Sequence, residues 1–168
     1  IERKSHAFDI CSELDNLSKK LDFKYVYKSS FDKANRTSHK SSRGVGIKKG
    51  LEILGDVKET FNCPVTTDVH DISQIDIAKE YLDIIQIPAF LCRQTDLLVE
   101  SAKCSDIVNI KKGQWMNPQN MVKGIDKLKT TNPNCNVWVT ERGSAFGYSQ
   151  FVVDFSSVDF MKKHFDKV

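Results

Sequence analysis

Glycine-rich phosphate loops, paired cysteines and long apolar runs are all missing from this chain. No GxGxxG or GxxxxGK[ST] segment follows any strand-like run, which argues against the dinucleotide-binding turn and the P-loop, both of which cradle phosphate on backbone N–H groups. Eight glycines and four prolines in 168 residues are too few for a linker-like or low-complexity protein. The longest uncharged apolar stretch, Ile84–Cys92, is interrupted by Gln86 and Pro88, whereas a membrane span needs about 20 apolar residues. No charged, apolar and small-residue succession at the start reads as a signal peptide. Excess charge of one sign is also lacking: 25 Lys and Arg face 22 Asp and Glu, a formal net charge of +3, without the basic stripe of a nucleic-acid binder. Neither nucleic acid nor a membrane is expected as a partner. The expectation is one soluble domain, residues 1–168, large enough for a core.

Five cysteines, Cys11, Cys63, Cys92, Cys104 and Cys135, form no CxxC pair, and their odd number argues against a disulfide framework. Cys63, Cys92 and Cys135 lie beside apolar runs, where a reduced cysteine packs as a small core residue, so a reducing, cytoplasmic setting is expected. The four histidines are scattered without zinc-like spacing, and no GxSxG turn is present. Asp68 and His70 fall on one face if Thr67–His70 is extended, yet no further ligand stands near them, and no metal site is expected within the chain. The first residue is Ile1, followed directly by a helical pattern, which suggests a piece of a longer protein.

What is present is alternation. Apolar positions at helical spacing run over residues 5–21, with Ala7, Phe8, Cys11, Leu14, Leu17 and Leu21 on one face. A short β-rich run, Tyr25–Tyr27, ends at Lys28, and a Ser/Arg/Lys-rich loop follows to Gly46. Helices are expected over 47–61, 73–81 (capped by Ser73), 95–103 and 118–129, and strands over 64–69, 84–87, 107–110 and 136–140. Strands alternating with helices of this length imply βαβ units and a parallel sheet. The strands look apolar enough for both faces to be covered, and an α/β barrel is the leading architecture.

Each strand stops at or near a polar residue: Lys28, Asp68, Gln86, Lys111 and Arg142. In a barrel all strand C-termini open on one face, so these five would converge, with Lys33 and Arg36 close behind the first. Converging cations repel unless an anion sits between them. Phosphate and carboxylate are the guests that Arg and Lys bind by charge-assisted hydrogen bonds.

Five segments in order along the chain carry a family resemblance. Lys28-Ser29-Ser30-Phe31-Asp32-Lys33-Ala34-Asn35-Arg36-Thr37-Ser38 resembles the KxSFDKANRSS signature of 3-deoxy-D-manno-octulosonate 8-phosphate synthases. Thr67-Asp68-Val69-His70 is similar to the family's TDVHE segment, and Gln86–Asp96 to its QxPAFLxRQTDL segment. Asn109–Gln114 is similar to NxKKPQ, and Glu141–Tyr148 to its xRGxxFGY run. Gly113 stands where the family usually has Pro, Trp115 where Phe is common, and Thr37 where Ser is usual. Ser41-Ser42-Arg43-Gly44 replaces a loop that typically carries an aromatic before the Arg.

The resemblance implies a (β/α)8 (TIM) barrel, here a partial barrel covering about strands two to six and incomplete at both ends. It implies a transferase that condenses phosphoenolpyruvate with D-arabinose 5-phosphate and water, releasing phosphate, in lipopolysaccharide synthesis. It also implies a cytoplasmic homotetramer. Lys28, Ser30, Lys33, Gln86, Ala89 (through its backbone), Lys111 and Arg142 would hold phosphoenolpyruvate. Asn35, Arg36, Thr37 and Asp68 would meet the aldose phosphate, with Arg93 at the same mouth or across a subunit boundary. Lys33 and Asp68 are the implied catalytic pair. A divalent metal is a cofactor of some longer members, through a Cys on the first strand and later His, Glu and Asp ligands. All of those positions are expected to lie outside this chain, which alone is expected to be inactive. A related phosphoenolpyruvate-dependent synthase, of the heptulosonate or sialic acid type, and a non-catalytic remnant are the alternatives.

Overall fold

Apolar periodicity sets the helices. In the computed structural model, which describes residues 1–148 and 150–168, helix α1 (Lys4–Leu21) buries Ala7 and Cys11, and α2 (Ile47–Phe61) buries Leu51, Ile53, Leu54 and Val57. These two helices end at Asp22 and Asn62, both left-handed, the backbone turn that commonly stops a helix. Helices α3 (Ile72–Ala78), α4 (Thr95–Cys104) and α5 (Pro118–Thr131) follow. The cap of α3 is Asp71 rather than the expected Ser73: the Asp71 carboxylate accepts from the Ser73 backbone N–H, a stronger acceptor than a hydroxyl.

Five strands, β1 (Tyr27–Lys28), β2 (Val65–Asp68), β3 (Ile84–Ile87), β4 (Ile107–Lys111) and β5 (Asn136–Thr140), form one all-parallel sheet in sequential order. Sequential order without a reversal means that every crossover returns in the same sense, so the helices cover one face. Helix α1 packs on α2, and α3, α4 and α5 pack in turn. On the covered face, Val65, Thr67, Ile85, Ile87, Val108, Ile110, Val137 and Val139 are buried. This is the arrangement of five consecutive strands of a (β/α)8 barrel.

The other face corrects the expectation that both would be apolar. It carries Thr66, Asp68, Gln86, Asn109, Lys111 and Thr140, alternating with the buried set as strand geometry requires. Beyond β5 the structure adds elements that apolar periodicity did not announce. A short antiparallel hairpin pairs β6 (Ser144–Ala145) with β7 (Phe151–Val152), and α6 (Phe155–Lys162) packs on α5. The chain then runs parallel to β5, where Asp166 N–H donates to Val137 O and Val139 N–H to Lys167 O, bridging Trp138 and Lys167. Among the described residues no helix is long and apolar enough to cross a membrane.

Candidate active site

The loop after β1 is pinned by Phe31, whose ring is buried over α2. A Cβ on Gly50 would lie 2.3 Å from the Phe31 Cβ, so only glycine lets the helix come this close. Gly46 N–H donates to Phe31 O, Lys33 N–H donates to Arg43 O, and the Arg43 guanidinium forks onto both oxygens of Asp32. The doubled-back loop presents Ser30, Lys33, Ala34 and Asn35 to the C-terminal end of the sheet.

Register does the rest. Asp68, Gln86 and Asn109 are successive partners across β2, β3 and β4, so they form one row on the polar face. Thr140 Oγ1 donates to Asn109 Oδ1 at 3.1 Å, Asn109 Nδ2 to Gln86 Oε1 at 2.9 Å, and Gln86 Nε2 to Asp68 Oδ1 at 2.9 Å. Asn109 Nδ2 also donates back to Thr140 Oγ1 at 2.9 Å, so the row ends on Asp68 with Gln86 as its last donor.

Asp68 also meets Lys111 at 2.8 Å and Lys28 at 2.9 Å, and accepts from Ser30 at 3.3 Å. Burial alone would raise its pKa. The Lys111 hydrogen bond and the Lys28 charge outweigh burial and hold the carboxyl well below the usual carboxylate range. Ser30 Oγ in turn accepts from Lys28 at 2.8 Å and Lys33 at 3.1 Å. Partial burial, then the neighbouring Lys28 charge, push the Lys33 ammonium below its ordinary pKa.

A cavity of about 450 Å³ opens over this cluster. Of the residues singled out in the sequence, Lys28, Ser30, Lys33 and Asn35 line it from the first loop. Asp68, Ala89, Lys111 and Arg142 line it from the later strand ends. Ala89 sits in a single 3-10 turn, Ala89–Leu91, and Arg142 stands two residues past the end of β5. Gln86 lies beneath the cavity as part of its hydrogen-bonded floor. Arg36 and Thr37 are exposed on the same loop outside the lining, with Arg36 Nε donating to Ser42 O. Arg93 is not brought to this cavity. It borders a separate hollow of about 330 Å³ with Lys123 and Lys127.

His70 also lines the cavity, edge-on to Phe31, and its buried Nδ1 has no hydrogen-bond partner. Burial lowers its pKa further from a value already below neutrality, so the imidazole is uncharged at pH 7. Sequence reasoning missed Asn109 and Thr140, the far half of the floor. The available signal was spacing: Asn109 lies two residues before Lys111 and therefore shares its face. Among the described residues no group of three or more His, Cys, Asp and Glu side chains gathers as a metal-ligand set would.

Comparison with known proteins finds named relatives over nearly the whole chain. The chain is 50% identical over 163 residues to the 2-dehydro-3-deoxyphosphooctonate aldolase of Rickettsia canadensis, covering 97% of this chain and 59% of that protein. It is 52% identical over 161 residues to the enzyme of the same name from Rickettsia rickettsii (strain Sheila Smith), covering 96% and 58%. It is 48% identical over 173 residues to that of Wolinella succinogenes, covering 97% and 66%. The chain thus spans about three fifths of the length of the curated relatives it matches. The model of the DAHP synthetase I family matches residues 1–168 in full, and the chain belongs to that family.

Proposed function

We propose that the protein catalyses the condensation of phosphoenolpyruvate with D-arabinose 5-phosphate and water, giving 3-deoxy-D-manno-octulosonate 8-phosphate and inorganic phosphate. The observation that carries this reading is the cation set: Lys28, Lys33, Lys111 and Arg142 line one cavity, and Asp68 is the carboxylate paired within it. The other carboxylate of the lining, Asp32, is already paired with Arg43, so Asp68 alone faces four cations, and the balance is what a doubly anionic guest supplies. The name of the relatives supports the same chemistry.

In this reading Lys28, Lys111 and Arg142 hold the phosphate and carboxylate of phosphoenolpyruvate, with the Ala89 backbone closing one side. Holding both anionic ends fixes C3 against the sugar aldehyde, which supplies much of the rate by orientation. Asn35 meets the aldose from the cavity wall. Arg36 and Thr37 stand where the phosphate end of the longer substrate extends. As C3 bonds to the aldehyde carbon, the carbonyl oxygen becomes an alkoxide and C2 becomes electron-poor. Lys33, its proton loosened by partial burial and by Lys28, donates to that oxygen. Water adds to C2 and gives one proton back to Lys33, and the resulting hydroxyl then collapses to the ketone, passing its proton to the phosphate as it departs with the C2–O electron pair. Asp68 accepts from the sugar hydroxyls and holds Lys28 and Lys111 in place.

The same reading carries a homotetramer in the cytoplasm. Exposed Phe146, Phe151 and Phe155 support self-association, and five free cysteines support a reducing compartment.

The test is an assay of phosphate release and of the eight-carbon keto acid from phosphoenolpyruvate plus arabinose 5-phosphate. Formation of both products is expected of the protein that carries all eight barrel strands, and none from residues 1–168 alone. No consumption of phosphoenolpyruvate by the eight-stranded protein, or a preference for a four-carbon aldose phosphate, overturns the reading.

A further inference from the structure

Strand alternation sends Lys111 into the cavity and its neighbour Lys112 the other way. Lys112 is fully buried, the only buried Lys or Arg among the described residues. Its Nζ is caged by Ser144 Oγ at 3.1 Å, Gly113 O at 3.3 Å, Met116 O at 3.4 Å and Gly143 O at 3.5 Å. Glu141 Oε2 lies 3.6 Å away, without a hydrogen bond of its own. The other oxygen of that carboxylate accepts from Gly143 N–H at 2.5 Å.

These contacts share a target. Glu141 and Gly143 flank Arg142, so Lys112 meets the Glu141 carboxylate on one side and the Gly143 carbonyl on the other of a cavity cation that, like Lys33, no regular strand supports. Lys112 N–H donates to Thr140 O, and Ala145 N–H donates to Gln114 O, joining the loop after β4 to the loop after β5. Gly143 has φ +91°, and a Cβ there would lie 3.0 Å from the Phe151 Cβ, so the turn brings Phe151 against the loop. The Arg142 guanidinium then lies 5.6 Å from the centre of the Phe151 ring. A buried ion pair is weak evidence of stabilisation, because an apolar pair of similar volume often does as well, but such a pair does enforce one geometry.

We propose that the buried Lys112–Glu141 pair is a positioning element that fixes Arg142 beside Lys111 for oxyanion binding. The substrate part of this inference rests on the proposed function, whereas the oxyanion part rests on the cavity alone.

The experiment measures phosphoenolpyruvate and inorganic phosphate binding by calorimetry, with thermal unfolding, for wild type, Lys112→Met, Glu141→Gln and the Lys112→Met/Glu141→Gln double variant. Lys163→Met, an exposed lysine on α6, is the control. Lys112→Met leaves a buried carboxylate without a counter-charge and should lower the melting temperature. The double variant should recover that stability yet still bind both anions at least tenfold more weakly than wild type. If Lys112→Met does not fold, the double variant carries the test. Placing the double substitution in an Arg142→Ala background should add no further loss, because the pair acts through Arg142. A double variant that regains wild-type affinity along with stability overturns the proposal, as does a full additional loss in the Arg142→Ala background. Wild-type protein that binds phosphate but not phosphoenolpyruvate overturns the proposed function, and the phosphate arm alone then decides the positioning role. Wild type that binds neither overturns both.

Discussion

Lys111 and Asp68 meet at 2.8 Å although their strands, β4 and β2, are not neighbours. The contact passes over Gln86 of β3, and it exists because the open face of the sheet is polar at its C-terminal end. A carboxylate reached from two directions by Lys28 and Lys111 is a counter-ion for cations whose function is to bind something else. An anionic guest must compete with Asp68 for both.

Replacing Asp68 with Asn should therefore separate binding from chemistry. Inorganic phosphate should bind more tightly, since Lys28 and Lys111 lose their internal partner, while product formation falls on the order of a hundredfold or more. The free protein should lose about 1–3 kcal/mol of stability in chemical denaturation at neutral pH. Weaker phosphate binding in the variant would show that Asp68 does not compete with the guest.

Acid stability follows from the same carboxylate. Its folded pKa is depressed, so its contribution is fully present above the unfolded value. That contribution starts to fade below about pH 5 and is lost as the pH falls through the folded value. A pH series of urea midpoints should show a shallower acid limb for Asp68→Asn than for the wild type.

Lys33 gives the same sign on the alkaline side. Its folded pKa is lowered, so between that value and the unfolded value of about 10.4 the unfolded chain binds more protons, and stability from this group rises with pH. Phosphate affinity should fall over the same window as the ammonium loses its charge. Lys33→Arg, which stays charged, should carry phosphate binding to higher pH. Identical alkaline limbs for the two proteins would remove Lys33 from the anion site.

Anion binding should weaken with added salt, since the contacts are ionic. Arg142→Lys should weaken it as well, because a planar fork becomes a point charge. Lys111→Ala with Arg142→Ala should abolish it. Unchanged phosphate binding in the double variant would place the anion elsewhere.

Gly50→Ala tests the seat of the first loop. The added methyl collides with Phe31, and overpacking of this kind costs about 1–3 kcal/mol. Phosphate affinity should drop too, as Ser30 and Lys33 move with the ring. A melting temperature equal to that of wild type would show that the loop has another anchor.

The helices and strands through β5 were legible because apolar spacing of 3.6 or 2 is written directly into segments such as Ala7–Leu21 and Ile84–Ile87. The hairpin and α6 were not, because Phe146, Phe151 and Phe155 are exposed aromatics that follow no buried face. In the site, Lys28, Asp68 and Lys111 were visible as strand-end residues. Lys111 and Lys112 look equivalent as letters, and only the alternation of a strand tells a cavity cation from a buried one. Arg93 was assigned to the same mouth or to a subunit boundary because its motif is contiguous with Gln86 and Ala89; a turn of 3-10 helix and the start of α4 carry it away from the cavity of its own chain.

The floor row running from Thr140 through Asn109 and Gln86 to Asp68 constrains which replacements a lineage can accept. Gln86 offers its NH2 to Asp68 and its oxygen to the Asn109 NH2, so exchanging Gln86 for Glu keeps the acceptor for Asn109 but removes the donor to Asp68 and sets two carboxylates against each other across β2 and β3. A single change therefore damages two strands at once, and repair would require a second change next door. These four positions should drift as a set, with tolerated variants appearing as matched pairs across neighbouring strands rather than as isolated substitutions.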